Sequence, residues 1–130
     1  MGDMVFLFAP PEYWKLTGEE RKNYRCGPGR GILERIIPDK ILGCDIQPAC
    51  GIHDFQYGQG RTDQDKADAD EVFLNNMIRL IEAYGGRECM VRWRLNIARE
   101  YYEAVQHYGG PAYWNEKNKP DEIGLVAAPA

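Results

Sequence analysis

Two long stretches with helical apolar spacing, separated by Gly85-Gly86, constrain this chain more than any other feature. In the first, Ala69, Val72, Phe73, Met77, Leu80, Ile81 and Tyr84 recur with the 3.6-residue period. Thr62 stands before it as an N-cap, and Asp63, Asp65 and Asp68 occupy the early turns, where the helix dipole favours anions. In the second, over roughly 87–108, Val91, Leu95, Ala98, Tyr101, Tyr102, Val105 and Tyr108 share a face, and Gly109 is the stop. A chain of 130 residues with two such helices is mainly α and holds one domain. The expected domain covers residues 1–109, and residues 110–130, rich in Pro, Asn and Lys, read as an extended tail.

Shorter elements precede the long pair. Pro10-Pro11-Glu12 opens a short helix through Tyr13 and Trp14. Thr17 followed by Glu20 has capping-box spacing and starts another. Cys26-Gly27-Pro28-Gly29-Arg30-Gly31 cannot stay helical and reads as a loop, while residues 32–47 read as a meandering connection. Pro48 suits the first turn of a further helix that ends at Gly58 or Gly60.

The charge balance narrows the function. Sixteen basic against 20 acidic residues, net −4, argue against nucleic-acid binding, which calls for a basic face. No stretch is long and apolar enough to span a membrane, though contact through aromatic side chains remains open. Residues 4–9 are apolar, but Asp3 stands where a signal peptide carries positive charge, so this start does not read as a signal sequence. The four cysteines, at 26, 44, 50 and 89, lack zinc-finger spacing, and Gly-Lys-Ser/Thr is absent, which excludes a P-loop.

Chemistry concentrates on the helix after Pro48. Cys50, His53, Asp54 and Tyr57 fall at i, i+3, i+4 and i+7 and form one stripe. Asp70, three residues before Phe73, lies beside the apolar face of the following helix, although it could equally join the solvated acidic first turn. Directed inward, it needs a partner, and His53 can supply one. A carboxylate accepting from one ring nitrogen fixes the tautomer and frees the other nitrogen as a general base. If Cys26 were bridged to Cys50, the carbonyls of the glycine loop could join Asp54 around a hard cation such as calcium.

Taken together, Cys26-Gly27-Pro28-Gly29 and Ala49-Cys50-Gly51-Ile52-His53-Asp54-Phe55-Gln56-Tyr57 resemble the calcium loop and His-Asp helix of the secreted phospholipase A2 superfamily. The form is most similar to the small bacterial and fungal branch, and the likeness extends over roughly residues 24–109 through Asp70-Glu71-Val72-Phe73 and Tyr101-Tyr102-Glu103-Ala104-Val105. The resemblance implies a phospholipase A2-like fold of two long antiparallel helices, a calcium-binding loop and shorter N-terminal helices. It implies calcium-dependent hydrolysis of the sn-2 ester of phospholipids at a bilayer or micelle surface. His53 would be the base and Asp70 its orienting partner, with Tyr57 and one of Tyr101 or Tyr102 bonding to Asp70. Ca2+ would be held by the Asp54 side chain and the carbonyls of Arg25, Gly27 and Gly29. The amide of Gly27 would help hold the oxyanion, and Cys26–Cys50 would be the bridge from loop to helix.

The chain departs from that pattern in a long connection over 31–43 and in Ile81, which stands about where a second bridge would have a partner. Cys44 and Cys89 are therefore left either paired or reduced. A weak calcium site and a disulfide suit an extracellular setting, or delivery outside the producing cell. The rival reading is a non-catalytic module of the same fold that binds a membrane or protein partner. A cysteine protease is disfavoured because Cys50 and His53 share one helix face. Candidates for an apolar rim are Val5, Phe6, Leu7, Phe8, Tyr13, Trp14, Trp93 and Trp114.

Overall fold

The computed structural model describes residues 5–24, 37–115, 117 and 127. Its elements are α1 (Pro11–Trp14), α2 (Gly18–Arg21), β1 (Lys40–Ile41), β2 (Cys44–Asp45), α3 (Gln47–Gln59), α4 (Asp63–Tyr84), α5 (Glu88–Tyr108) and α6 (Gly110–Tyr113). The described chain is mainly helical, as its periodicity predicts. None of its helices is long and apolar enough to cross a membrane.

The expected boundaries hold for local reasons. Thr17 accepts from the Glu20 amide while the Glu20 carboxylate takes the Thr17 N–H, which closes a capping box on α2. Thr62 and Asp65 do the same for α4. Pro48 sits in the first turn of α3, and α4 ends where Gly85 and Gly86 take φ of 70° and 100°. With only residues 85–87 between them, α4 and α5 must reverse direction. Lys66 near the start of α4 accordingly meets Val105 near the end of α5.

Helix α3 is buried on both sides. One face, with Ala49, Cys50 and Tyr57, joins the main core of Phe73, Met77 and Ile81 from α4 and Ala98 and Val105 from α5. The other, with Ile52 and Phe55, carries a second layer in which Tyr13, Leu7, Leu16 and Tyr24 pack. Segment 5–9 is strapped onto α4 by a buried amide. Asn76 accepts from the Phe8 N–H at 2.7 Å and donates to the Phe8 carbonyl at 2.8 Å. Leu7 and Ala9 consequently turn inward, while Phe6 and Phe8 face out.

Three expectations need correction. The stretch 32–47 is not simply a meander, because residues 40–45 form a hairpin pairing Lys40 with Asp45 and Ile41 with Cys44. Its two-residue turn places Leu42 at φ 45° and Gly43 at φ 86°, the left-handed geometry that matches strand twist. Arg94, buried on α5, holds this turn through two donors to the Leu42 carbonyl, at 3.1 and 2.9 Å, and a third to the Gly85 carbonyl. Next, the tail does not begin extended at 110. Pro111 opens α6, and its Tyr113 is fully buried. Finally, Tyr84 and Tyr108 are exposed despite lying in the apolar register. Tyr84 lies against the Arg94 guanidinium, 4.7 Å from the ring centre, so it covers the cation rather than filling the core.

Candidate functional site

The α3–α4 turn decides which side chains meet. Only Gly60, Arg61 and Thr62 separate the helices, so residues equally far from the turn lie level. His53 is six residues before the end of α3 and Asp70 seven after the start of α4, which makes them one rung. Tyr57 and Lys66, each four residues closer to the turn, make the next. Gly60 is buried with the Tyr113 hydroxyl against it, leaving no room for a side chain at the turn.

His53 Nε2 lies 2.7 Å from Asp70 Oδ1, and the Tyr57 hydroxyl donates to the same oxygen at 2.6 Å. Both ends of the first pair are out of solvent, with His53 5% and Asp70 1% exposed. Asp70 thus faces inward, whereas Asp63, Asp65 and Asp68 are exposed. The second oxygen, Oδ2, accepts from Lys66 Nζ at 2.8 Å. Burial alone would raise the Asp70 carboxyl, but the donors His53, Lys66 and Tyr57 outweigh it and hold it below the ordinary carboxylate range. Tyr57 is pushed far up, first by burial and then by the Asp70 charge, so it stays protonated and donates.

An ionised Asp70 can only accept, so the proton between it and His53 belongs to Nε2. In the neutral ring Nδ1 is then the lone-pair nitrogen, and it has no hydrogen-bond partner among the described residues. The ring is fixed by Phe73, stacked at 4.6 Å, and by Tyr57 at 4.1 Å. A buried imidazole with a chosen tautomer, a fixed plane and a lone pair on its second nitrogen can take a proton from a water or a hydroxyl.

Tyr57 is supported in turn. Its ring meets Tyr113 edge-on at 5.1 Å, its carbonyl accepts from Lys117 Nζ, and Tyr113 donates to the Thr62 carbonyl at 2.6 Å. The segment after Gly109 therefore buttresses the site.

The other expected residues are distributed less simply. Asp54 is half-buried next to His53, while Arg25, Gly27, Gly29 and Cys26 lie outside the described residues. The expected Cys26–Cys50 bridge therefore has one member among the described residues, the buried Cys50. Neither Tyr101 nor Tyr102 bonds to Asp70. Tyr101 packs at the core margin, and the Tyr102 hydroxyl accepts from Gln106 instead. Their place at Asp70 is taken by Lys66. A Lys four residues before an inward Asp is a helix-pair signal that was available in the sequence. Cys44 and Cys89 are free thiols, one buried on strand β2 of the hairpin and the other exposed on α5. Of the rim candidates, Phe6, Phe8, Trp14 and Trp93 are exposed, while Tyr13 is buried and Val5, Leu7 and Trp114 are partly so.

Two open clefts flank α3, one of about 430 Å³ lined by Tyr13, Arg21 and Tyr24 and one of about 270 Å³ beside Gln56 and Gly60; neither is lined by His53 or Asp70.

No protein-family model, curated protein or solved structure matches this chain.

Proposed function

We propose that this protein is a calcium-dependent esterase of the phospholipase A2 type that cleaves the sn-2 ester of phospholipids at a bilayer or micelle surface. The observation that carries the reading is the buried Asp70 accepting from both His53 Nε2 and the Tyr57 hydroxyl, which leaves Nδ1 of His53 as the base.

In this reading His53 Nδ1 removes a proton from a water that attacks the ester carbonyl, and later returns it to the departing glycerol oxygen. The imidazolium formed in between is stabilised by the Asp70 carboxylate 2.7 Å away, which does not itself take the proton. Tyr57 and the Phe73 stack keep the ring in plane while its charge changes.

Asp54 offers a hard carboxylate oxygen one residue after the base, which suits Ca2+, and the carbonyls of Arg25, Gly27 and Gly29 are the further ligands the sequence likeness assigns. Bound there, calcium would supply positive charge for the ester oxygen as it becomes an oxyanion, and stabilising that charge lowers the barrier more than any other single effect in many acyl transfers.

The test is fatty-acid release from mixed phospholipid vesicles in millimolar calcium and in chelator. Release is expected only with calcium. Asp54→Asn is expected to lower it by at least about tenfold at the same calcium, with partial recovery as calcium is raised. Equal release in chelator overturns the calcium requirement, and no release at any calcium by the folded protein favours the non-catalytic module.

Surface contact has its own test. Phe6 is 83% exposed, and Phe8 is held out beside it by the Asn76 clamp. The double change Phe6→Ala with Phe8→Ala keeps the backbone bonds to Asn76. It is expected to weaken vesicle binding several-fold while a soluble short-chain ester is still cleaved. Equal loss on both substrates would remove the anchor from the reading.

A further inference from the structure

Among the described residues, Lys66 is the one lysine or arginine that reaches Asp70, and its surroundings are unusual for a lysine near a helix start, where the dipole disfavours positive charge. Its side chain is only 13% exposed. Nζ donates to Asp70 Oδ2 at 2.8 Å and to the Val105 carbonyl at 2.9 Å, with the Gln106 carbonyl at 3.4 Å. These carbonyls belong to the last turn of α5, the negative end of the helix dipole, and that of Val105 accepts from Lys66 in addition to the Gly109 amide. Three acceptors thus converge on one ammonium group, which matches its three N–H donors.

The geometry has a consequence for the carboxylate plane. His53 and Tyr57 both bond to Oδ1, so those two contacts alone leave Asp70 free to swing about that oxygen. A donor on Oδ2 removes the freedom, and its anchor is the end of a different helix. Resting on the hydrolase reading above, we propose that Lys66 is a positioning residue that locks the Asp70 carboxylate in the plane required by His53, by bridging it to the C-terminal carbonyls of α5. Lys66 touches no reacting atom in this role. It sets the aim of the base through Asp70 and makes that aim depend on the packing of α4 against α5.

The experiment combines kinetics with a readout that needs no turnover. Only two histidines are present, and His107 is exposed, so the ring resonances of the buried His53 are separable by 1H–15N NMR. In the full chain at fixed pH, the His53 Nε2 proton should give a resolved, slowly exchanging signal. Lys66→Met is expected to broaden or shift that signal and to lower kcat on short-chain phospholipid by roughly 10- to 100-fold with KM little changed. Lys66→Gln, which keeps a polar stem without the charge, should show the same change and supplies the readings should the Met variant not fold. Lys66→Arg should restore the signal and part of kcat. A ring signal and kcat that match wild type in the neutral variants, with only the Tm lowered, would make Lys66 a simple strut and overturn the proposal. Loss of the ring signal in a protein whose wild type hydrolyses nothing would support the positioning role while refuting the hydrolase.

Discussion

Replacing His53 with glutamine is expected to reduce calcium-dependent fatty-acid release by about 10³-fold or more while leaving the protein folded. The choice of glutamine follows from the geometry. Its amide can still donate toward Asp70 Oδ1, so the buried carboxylate keeps three donors with Tyr57 and Lys66. A large stability loss from an orphaned charge is thereby avoided, and unfolding should not be mistaken for loss of chemistry. What glutamine lacks is a ring nitrogen with a lone pair that can accept and release a proton. Far-UV circular dichroism and thermal melting would confirm the fold, and the vesicle assay would report the activity. Activity within a few-fold of wild type would show that His53 is not the base, and with it the proposed mechanism would fall.

How much of this site could be read in advance differs by residue. His53, Asp54 and Tyr57 are separated by intervals that one helix turns onto a single stripe, and Pro48 and Gly60 mark that helix's ends, so their proximity was legible. Asp70 was ambiguous. Three neighbouring aspartates lie exposed in the first two turns, and only the tertiary contact with His53 separates Asp70 from them. Lys66 was legible as an i, i+4 partner of Asp70 but not as a link to α5, because its bonds to Val105 and Gln106 span 39 and 40 residues. The same limit hid the role of the C-terminal segment. Nothing local in Gly110-Pro111-Ala112-Tyr113 announces that Tyr113 will close the α3–α4 turn through the Thr62 carbonyl. The hairpin at 40–45 was missed for another reason. Its turn places Leu42 in a left-handed conformation usually given to Asn, Asp or Gly, and the compensation comes from Arg94, 52 residues away. By contrast, capping boxes and glycine stops are local chemistry, and the start of α2 and both ends of α4 followed from them, while α2 stops at Arg21, short of the expected run toward Tyr24.

Gly109 offers the second large effect, one that reaches the site from its back. A methyl group added there would stand 2.5 Å from the Tyr57 hydroxyl and would also crowd the Val105 carbonyl. Neither neighbour yields easily. The Tyr57 hydroxyl is held to Asp70 at 2.6 Å with its ring wedged against Tyr113, and the Val105 carbonyl already accepts from Lys66 and the Gly109 amide. Gly109→Ala is therefore expected to cost roughly 1–3 kcal/mol of stability, the usual range for overpacking a filled interior. The damage should also be directional. Pushing Tyr57 away removes one of the two donors on Asp70 Oδ1, the oxygen that His53 uses. Activity should fall further than stability alone explains, by about tenfold in the protein that remains folded at a temperature well below its Tm. Tyr57→Phe in the Gly109→Ala background separates the two effects. Without the hydroxyl the methyl group gains space, so the double variant should be more stable than the sum of the single changes allows, yet no more active than Tyr57→Phe alone. Strict additivity of the two stability losses would show that the glycine is there for some reason other than the approach of Tyr57.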